Sequence, residues 1–534
     1  MRRPRMSRPV AGAATYDRLL HLWPEGRSAA WAVMLGALFY VLAHALVRLV
    51  FSDVIAVDWV GETVYAQTIG LGQTPKYPPL PAWCLWLVHQ VTGPGALSTL
   101  IVKYAALWAA VVAYFFAARR VLAHDGWAVL ATLSLLLIFQ VAWNAHEGVT
   151  HTIFLILAAP LTLLMLLRIS ADRRALDYAL LGGVIAIGAL AKQAYFAGLL
   201  ALLLAMLLQP RYRAALLDWR IVLTGVVAVA LAGPHYIWAL TSGFDFGGAA
   251  SATLARPGLD GMAQQIASGL VSSIRAPLLF LSPLLPVLIL VMPRAFVWSN
   301  LVHPGAHGQV GGDPVRLVRD SVLFAVAIMV VPVLVAGVAH YGERWMHPLM
   351  LLAPIYLVAM LRAAQPSAAR LKVLLGIIFV VSAVALGWRL AGFAYPSPVT
   401  CGKCRLEVPY GDLADGVREL GFTGGTILAG DEHIAGNMRT HFPKARVVAL
   451  NYGYYDPPYH AEDAGQCLIV WRSAPRQSTA VVPPAALSYA GLAGLPDTAK
   501  VQAFRLPHGH AFLPDDYAVS QFAAVLMPAA GRCR

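Results

Sequence analysis

Apolar stretches of membrane-crossing length recur from residue 29 to residue 391, and they decide what this chain can fold into. Covering the hydrocarbon core of a bilayer takes about 20 consecutive apolar residues. Candidate spans lie near 29–51, 96–118, 126–143, 148–168, 175–191, 194–208, 219–241, 276–293, 320–340, 345–363 and 371–391, about eleven in all. In lipid the backbone polar groups must be satisfied within the segment, so each stretch is read as a helix. Charged residues make up only 13% of the 534 residues, against about 25% in soluble domains, and the mean hydropathy is +0.65. The expected fold class is membrane all-α, a multi-span helical bundle.

Charge then orients the bundle. The net charge of +13 would suit nucleic acid, but most of it sits in short loops between spans, where arginine sets topology. A nucleic-acid partner is therefore excluded. With the segment 1–28 cytoplasmic, one set of loops carries Arg119, Arg120, Arg173, Arg174, Arg211, Arg213, Arg220, Arg294, Arg316, Arg319, Arg362, Arg370 and Lys372. The opposite set keeps only Lys76, Lys192, Arg256, Arg275 and Arg344. An odd number of spans places both the loop 52–95 and the C-terminal region outside. The basic start leads into a full-length span, so no cleaved signal peptide is expected.

Loop 52–95 is the part of the membrane region that reads as chemistry. It carries Asp53, Asp58, Glu62 and Lys76, then Pro75, Pro78, Pro79 and Pro81, then the tryptophan-rich piece from Trp83 to Trp86. Proline fixes φ and removes a donor, so the loop cannot be one continuous helix. It is expected to lie on the membrane surface. An outward-facing Asp58 has the chemistry of a general base for an acceptor hydroxyl or amine; the plain alternative is a solvated acid or a helix N-cap. Glu62 shares its face if the piece is helical, or serves as a salt-bridge partner. Lys76, on a rigid turn, either holds a phosphate as a point charge or reaches to lipid headgroups. Lys192 and Arg344 stand on the side otherwise poor in cations, where such groups form basic pockets for lipid phosphates.

Other polar residues gather at the same end: His146, Glu147 and His151 after the third span, Tyr77 in the proline turn, and Tyr341 and Glu343 where the tenth span begins. Ionisable residues at membrane depth usually face a cavity, and these are expected to line one that opens outward. His146, Glu147 and His151 carry metal-ligand side chains but not the H-E-x-x-H spacing; polar lining is favoured and no metal site is assigned. A longer outer loop, 242–275, rich in Gly and Ser, holds Asp245, Arg256 and Asp260.

From about residue 396 the pattern changes to a small α/β domain, 396–534. Thr426–Gly430, Ala445–Leu450 and Gln466–Trp471 read as strands, and Tyr410–Leu420 and Glu432–His441 as helices. Residues 474–500 read as loop, and Gly453 to Pro458 as a surface turn. Cys401, Cys404, Cys467 and Cys533 all lie here. In an oxidising compartment, disulfides are favoured over a zinc or redox dithiol, and four cysteines permit three pairings.

Several of these residues together resemble a known family. They are Asp58 with Gln67, Lys76-Tyr77-Pro78-Pro79-Leu80-Pro81-Ala82-Trp83, Thr150-His151-Thr152, Leu190-Ala191-Lys192, and Arg344-Trp345 with Pro348 and Pro354. The set is similar to bacterial glycosyltransferase family 39 of the GT-C superfamily, which includes the protein O-mannosyltransferases and the lipid A aminoarabinose transferases. The resemblance covers residues 30–395. It implies a GT-C transmembrane domain over 29–395 and an inverting transferase that takes a sugar from a polyprenyl-phosphate donor at the periplasmic leaflet. Asp58 would be the acceptor-activating base, with Glu62 as the second acid. Lys76, Lys192 and Arg344 would bind the donor phosphate. The pattern departs from many members at one point: Trp59 follows Asp58 where they carry Asp-Glu, which bears on any metal role. No cofactor is required, and a divalent cation is allowed but not expected.

The resulting expectation is a multi-pass transferase of the bacterial inner membrane, its C-terminal domain periplasmic. Membrane lipids are its surroundings and an envelope glycolipid, lipid A or lipopolysaccharide, is its acceptor. A protein O-glycosyltransferase and a secondary transporter are the rivals, with an inactive envelope scaffold behind them. The chain shows none of the matched Gly or Pro interruptions in two halves that transporters carry.

Overall fold

The computed structural model describes residues 25–534, apart from 56, 257, 260, 303–311, 398, 402–403, 460–464, 474–480, 497–498 and 509–518. Asp260, singled out above, lies outside the described residues. Among those described, six helices are long and apolar enough to cross a membrane. They are α1 (Arg27–Phe51), α4 (Ala96–Leu122), α6 (His151–Asp172), α9 (Ile221–Thr241), α12 (Pro314–Ala336) and α14 (Ala368–Ala394). Shorter apolar helices fill in between them: α5 (Asp125–Leu133), α7 (Ala175–Ala191), α8 (Tyr195–Leu207) and α13 (Ala353–Ala363). The buried face of α4 and nearly all of α6 form the centre of the bundle, while the lipid-facing helices α1, α9 and α14 keep large apolar side chains exposed. This is the multi-span helical bundle that the hydropathy implies.

Two stretches depart from the reading. The segment 242–275 is not a loop: it holds a helix at Phe246–Leu254 and most of α10 (Met262–Phe280), and α11 (Leu284–Val291) follows a turn at Pro283. Its serines do not need water, because the Ser272 and Ser273 hydroxyls donate to the Gly269 carbonyl within their own helix. The span expected over 126–143 is broken after α5. Its backbone turns outward at Ile138, which pairs with Pro283, and the Phe139 N–H donates to the Ser282 carbonyl (3.1 Å).

Loop 52–95 contains two helices, α2 (Asp58–Tyr65) and α3 (Leu80–Thr92), and the proline-bearing stretch between them stays irregular. That stretch is pinned to the bundle. The Trp83 indole donates to the Gly70 carbonyl (2.8 Å), and His235 of α9 lies 2.8 Å from the Leu71 carbonyl.

Beyond α14 come α15 (Tyr410–Glu419), α16 (Glu432–His441) and α17 (Pro484–Ala490), with a five-stranded sheet ordered β2-β1-β3-β5-β4. Strands β1 (Gly425–Ala429), β2 (Arg446–Ala449) and β3 (Gln466–Arg472) run parallel; β5 (Val519–Pro528) joins β3 antiparallel, and β4 (Val501–Pro507) is the far edge. All of β1 is buried, as parallel strands covered on both faces are. The helix α17 interrupts the region read as loop, and β4 and β5 extend the sheet beyond the three strands expected. Disulfides join Cys401 to Cys404 and Cys467 to Cys533.

The sheet region clasps α2. Asn437 of α16 donates to the Ile55 carbonyl (3.0 Å) and accepts from the Ile55 N–H (2.8 Å). Gln67 makes the mirror-image pair with Val447, 2.8 Å in both directions, covering the free edge of β2. Arg439 donates to the carbonyls of Thr63 and Ala66 at the end of α2. The backbones meet closely: a Cβ at Gly436 would stand 2.6 Å from the Val60 carbonyl oxygen. Asn437→Leu would leave the Ile55 amide groups buried and unpaired, at about 1–3 kcal/mol for each orphaned group. Its expected effect is a lower melting temperature in detergent micelles, with proteolytic release of the sheet region at temperatures the parent withstands.

Candidate active site

Asp58 opens α2, and the backbone before it is strained. Val57 has φ 55°, a left-handed value that a β-branched residue rarely adopts. Gly148 is required opposite it, since a Cβ there would collide with the Val57 side chain. Strain of this kind costs of order 1–3 kcal/mol and persists where surrounding structure enforces it. The N-cap position is Val57, so Asp58 is the first residue of the helix proper, and its side chain stays exposed. The N-cap alternative therefore does not describe it.

Charge surrounds that carboxylate. Desolvation raises its pKa, and Lys192, Arg344 and Arg405 pull in the opposite direction, the net shift being upward. Lys192 ends α7 in extended conformation, and desolvation lowers its own pKa while Asp58 opposes the change. Lys192 and Arg344, from distant parts of the sequence, thus act on Asp58 through their charge. Lys76 is exposed at the edge of this group. Its carbonyl accepts from Gln193, the neighbour of Lys192 (3.0 Å), and its ammonium lies 5.2 Å from the Tyr77 ring.

Glu62, one turn along α2, is buried, with His151 Nε2 3.6 Å from its carboxyl. Burial and the nearby Asp58 charge push its pKa up to about 8. His151 Nδ1 lies 2.8 Å from the Thr150 hydroxyl, and the Tyr77 ring packs 5.1 Å from the imidazole. Glu62, His151 and Tyr77 therefore form one cluster beside Asp58.

The remaining candidates go elsewhere. His146 stacks on His44 (3.8 Å), and Glu147 pairs with Arg389; both line a separate cavity beyond Trp59. The His146, Glu147 and His151 side chains thus have separate partners. Tyr341 donates its hydroxyl to the Met329 carbonyl (2.8 Å), an anchoring bond to α12, and Glu343 is half-buried in the turn that presents Arg344. Instead of the single hollow expected, two groups of polar residues flank α2.

The sheet region contributes residues the sequence reading did not assign. A Cβ at Gly61 would strike the Tyr452 hydroxyl, so this tyrosine lies on the α2 backbone, its ring stacked 5.1 Å from Tyr65. Tyr455, from the stretch read as a surface turn, packs edge-on against Tyr65 and lies 3.0 Å from the Thr68 hydroxyl. Glu432 and Arg405 act on Asp58 electrostatically. Asp431, Glu432 and His433 place potential ligand atoms within 4.8 Å of one another. Each acid is already engaged: Asp431 caps α16 and pairs with Arg472, and Glu432 accepts from Asn451. Arg48, Lys103 and Arg389 were legible as cations inside apolar spans, a signal that marks functional positions.

Comparison with known proteins bears on what this arrangement is. Residues 76–238 match the family model described as dolichyl-phosphate-mannose-protein mannosyltransferase. The chain is 28% identical over 482 residues to lipopolysaccharide core galacturonosyltransferase RgtA of Rhizobium johnstonii, covering 86% of this chain and 91% of that one. RgtB of the same organism matches at 28% identity over 463 residues, 86% and 90% of the two chains. Among solved structures, ArnT from Cupriavidus metallidurans bound to undecaprenyl phosphate shares the fold, with a TM-score of 0.54 at 12% identity, over 92% of this chain and 97% of ArnT. The chain is a GT-C glycosyltransferase. Its sheet region is included in that similarity, since the alignments run well past the helical bundle.

The raised Glu62 pKa makes this enzyme's stability depend on pH. Its value in the folded state lies above the ordinary 4.5, so the folded state binds more protons between pH 4.5 and about 8. Stability from this group therefore falls as pH rises through that window and levels off above it. Glu62→Gln removes the ionisation. Its expected result is a melting temperature above the parent's at pH 8–9, a difference on the order of a few kcal/mol that disappears near pH 4.5.

Proposed function

We propose that this enzyme transfers a hexuronosyl residue from a polyprenyl-phosphate carrier to a sugar hydroxyl of an envelope glycolipid, at the periplasmic face of the bacterial inner membrane. The observation that carries the reading is the accessible Asp58 carboxylate, on whose ionisation the charges of Lys192 and Arg344 act. Asp58 accepts the proton of the acceptor hydroxyl as its oxygen attacks the anomeric carbon. The bond from that carbon to the phosphate oxygen breaks, with inversion, and the polyprenyl phosphate departs with its negative charge facing Lys192, Arg344 and Lys76. Desolvation makes Asp58 a better base than a free aspartate, and the fixed cations stabilise charge where it develops on the leaving group.

Glu62, with His151, holds the second position, close enough to respond to the charge of Asp58. The full-length similarity to lipopolysaccharide core galacturonosyltransferases supports a uronic acid and a glycolipid acceptor. The arginines at one end of the bundle, Arg119 and Arg120 in the last turn of α4 among them, support a cytoplasmic N-terminus and an outward-facing site. A protein serine or threonine acceptor is favoured only by the name of the family matched over 76–238.

Purified protein in lipid nanodiscs, given radiolabelled polyprenyl-phosphate hexuronate with core lipopolysaccharide or a serine-rich peptide, tests the reading. Label is expected in lipopolysaccharide and not in peptide. Asp58→Asn should lower kcat by about 10²–10⁴-fold without lowering the melting temperature, and Lys192→Met should raise the KM for donor. An Asp58→Asn enzyme with undiminished turnover ends the proposal.

A further inference from the structure

On the other side of α2 lies a cavity of about 500 Å³, within the size range of small-ligand sites. Val57 and Trp59, the residues on either side of Asp58, form part of its wall, whereas Lys192 and Arg344 do not. Asp58 therefore stands on the partition between the donor-side cations and this second space. A base in an inverting transfer must occupy such a place, with the leaving group on one side and the incoming hydroxyl on the other.

Four cations face the cavity among apolar walls. Arg48 of α1, Lys103 of α4, Arg389 of α14 and Arg405 beyond the Cys401–Cys404 disulfide face it, with Glu147 and Glu407 as the acids. Arg48, Lys103 and Arg389 are each buried. Taking charge out of water without a counterion is costly, and the partners present do not balance it. Arg48 donates to the backbone carbonyls of Ser52 and Val54, and Lys103 to those of His146 and Glu147. Among the described residues, Arg389 pairs with the Glu147 carboxylate, and its Nε is buried with no hydrogen-bond partner. Arg48 and Arg389 both lie over the Phe393 ring, 5.8 and 5.6 Å from its centre, so two like charges share one apolar surface. Just behind His146, both ring nitrogens of buried His44 are also without partners. A space faced by four cations and two acids, with the Arg389 Nε unpartnered, suits an oxyanion.

The rim indicates what kind of molecule carries it. Trp388 and Val399 line the cavity and are exposed at 46% and 78%, which leaves apolar surface next to the cationic floor. An amphiphile with a charged sugar head and an apolar body matches both.

The geometry points to this cavity as the acceptor subsite, taking an oxyanion, phosphate or carboxylate, borne on the sugar head of a membrane-held glycolipid whose neighbouring hydroxyl reaches past the Val57–Trp59 edge to Asp58. Arg389 and Arg405 are the anion ligands, with Arg48 and Lys103 shaping the floor. The assignment rests on the proposed role of Asp58, but a binding measurement without donor tests it separately from turnover.

Full-length protein in nanodiscs is titrated, in the absence of donor, with core lipopolysaccharide, with the same material stripped of phosphate by hydrofluoric acid, with the same material after its carboxylates are reduced to alcohols, and with inorganic phosphate. The intact glycolipid should bind at least tenfold tighter than one of the two neutralised forms, which identifies the oxyanion. Inorganic phosphate should compete only at concentrations at least a hundredfold higher. Arg405→Gln should weaken binding of the intact form about tenfold while leaving binding of the neutralised form unchanged. Arg389→Gln should do the same if it folds, and Arg389→Lys should recover part of the loss. Asp58→Asn should bind as the parent does, so an enzyme that binds but does not transfer separates failure of the base from failure of the subsite. Equal affinity for all three glycolipids overturns the assignment, as does an Arg405→Gln enzyme whose only change is a raised donor KM, or inorganic phosphate that competes as well as the lipid.

Discussion

The clasp between the sheet region and α2 is the constraint on which the rest of this site depends. An eight-residue helix flanked by strained and proline-rich backbone has little stability of its own. Two side-chain amides, Asn437 and Gln67, and one guanidinium, Arg439, hold its ends by pairing with backbone groups. Because those bonds go to main-chain atoms, they fix the path of the helix without dictating its side chains. Asp58 and Glu62 are thereby left to face charge instead of packing.

Around that fixed helix the enzyme separates two electrostatic environments. On one side Lys192 and Arg344 lie near an accessible carboxylate; on the other, Arg48, Lys103 and Arg389 are buried where backbone dipoles only partly compensate them. Low dielectric surroundings strengthen every such interaction. A cation that would contribute little on a wet surface exerts a stronger field here.

Much of this was legible in the chain itself. Hydropathy gave the helical bundle, because membrane helices are selected for one dominant property, and Asp58, Lys192 and Arg344, singled out from separate inter-helix turns, do feel one another's charge in the fold. Glu432–His441 was readable to the residue, since Asp431 is a strong N-cap after a buried strand. The segment 242–275 was misread because its serines satisfy themselves inside a helix, which polarity alone does not reveal. Strand β4 escaped because it is a largely exposed edge, and β5 because its small apolar run carries no alternation. The second cavity was only partly anticipated. His146 and Glu147 were expected to line a cavity, but Arg48, Lys103 and Arg389, though visible as cations inside apolar spans, join them only through helix packing, which the sequence does not display.

The residues that steady Asp58 lie between positions 437 and 447, whereas α2 itself is made within the first 65. A ribosome therefore delivers Asp58 several hundred residues before Asn437 and Arg439 exist to hold α2. A chain that ended before residue 437 would carry every helix of the bundle and none of those bonds, so the placement of this short helix is completed by the last part of the chain to be made.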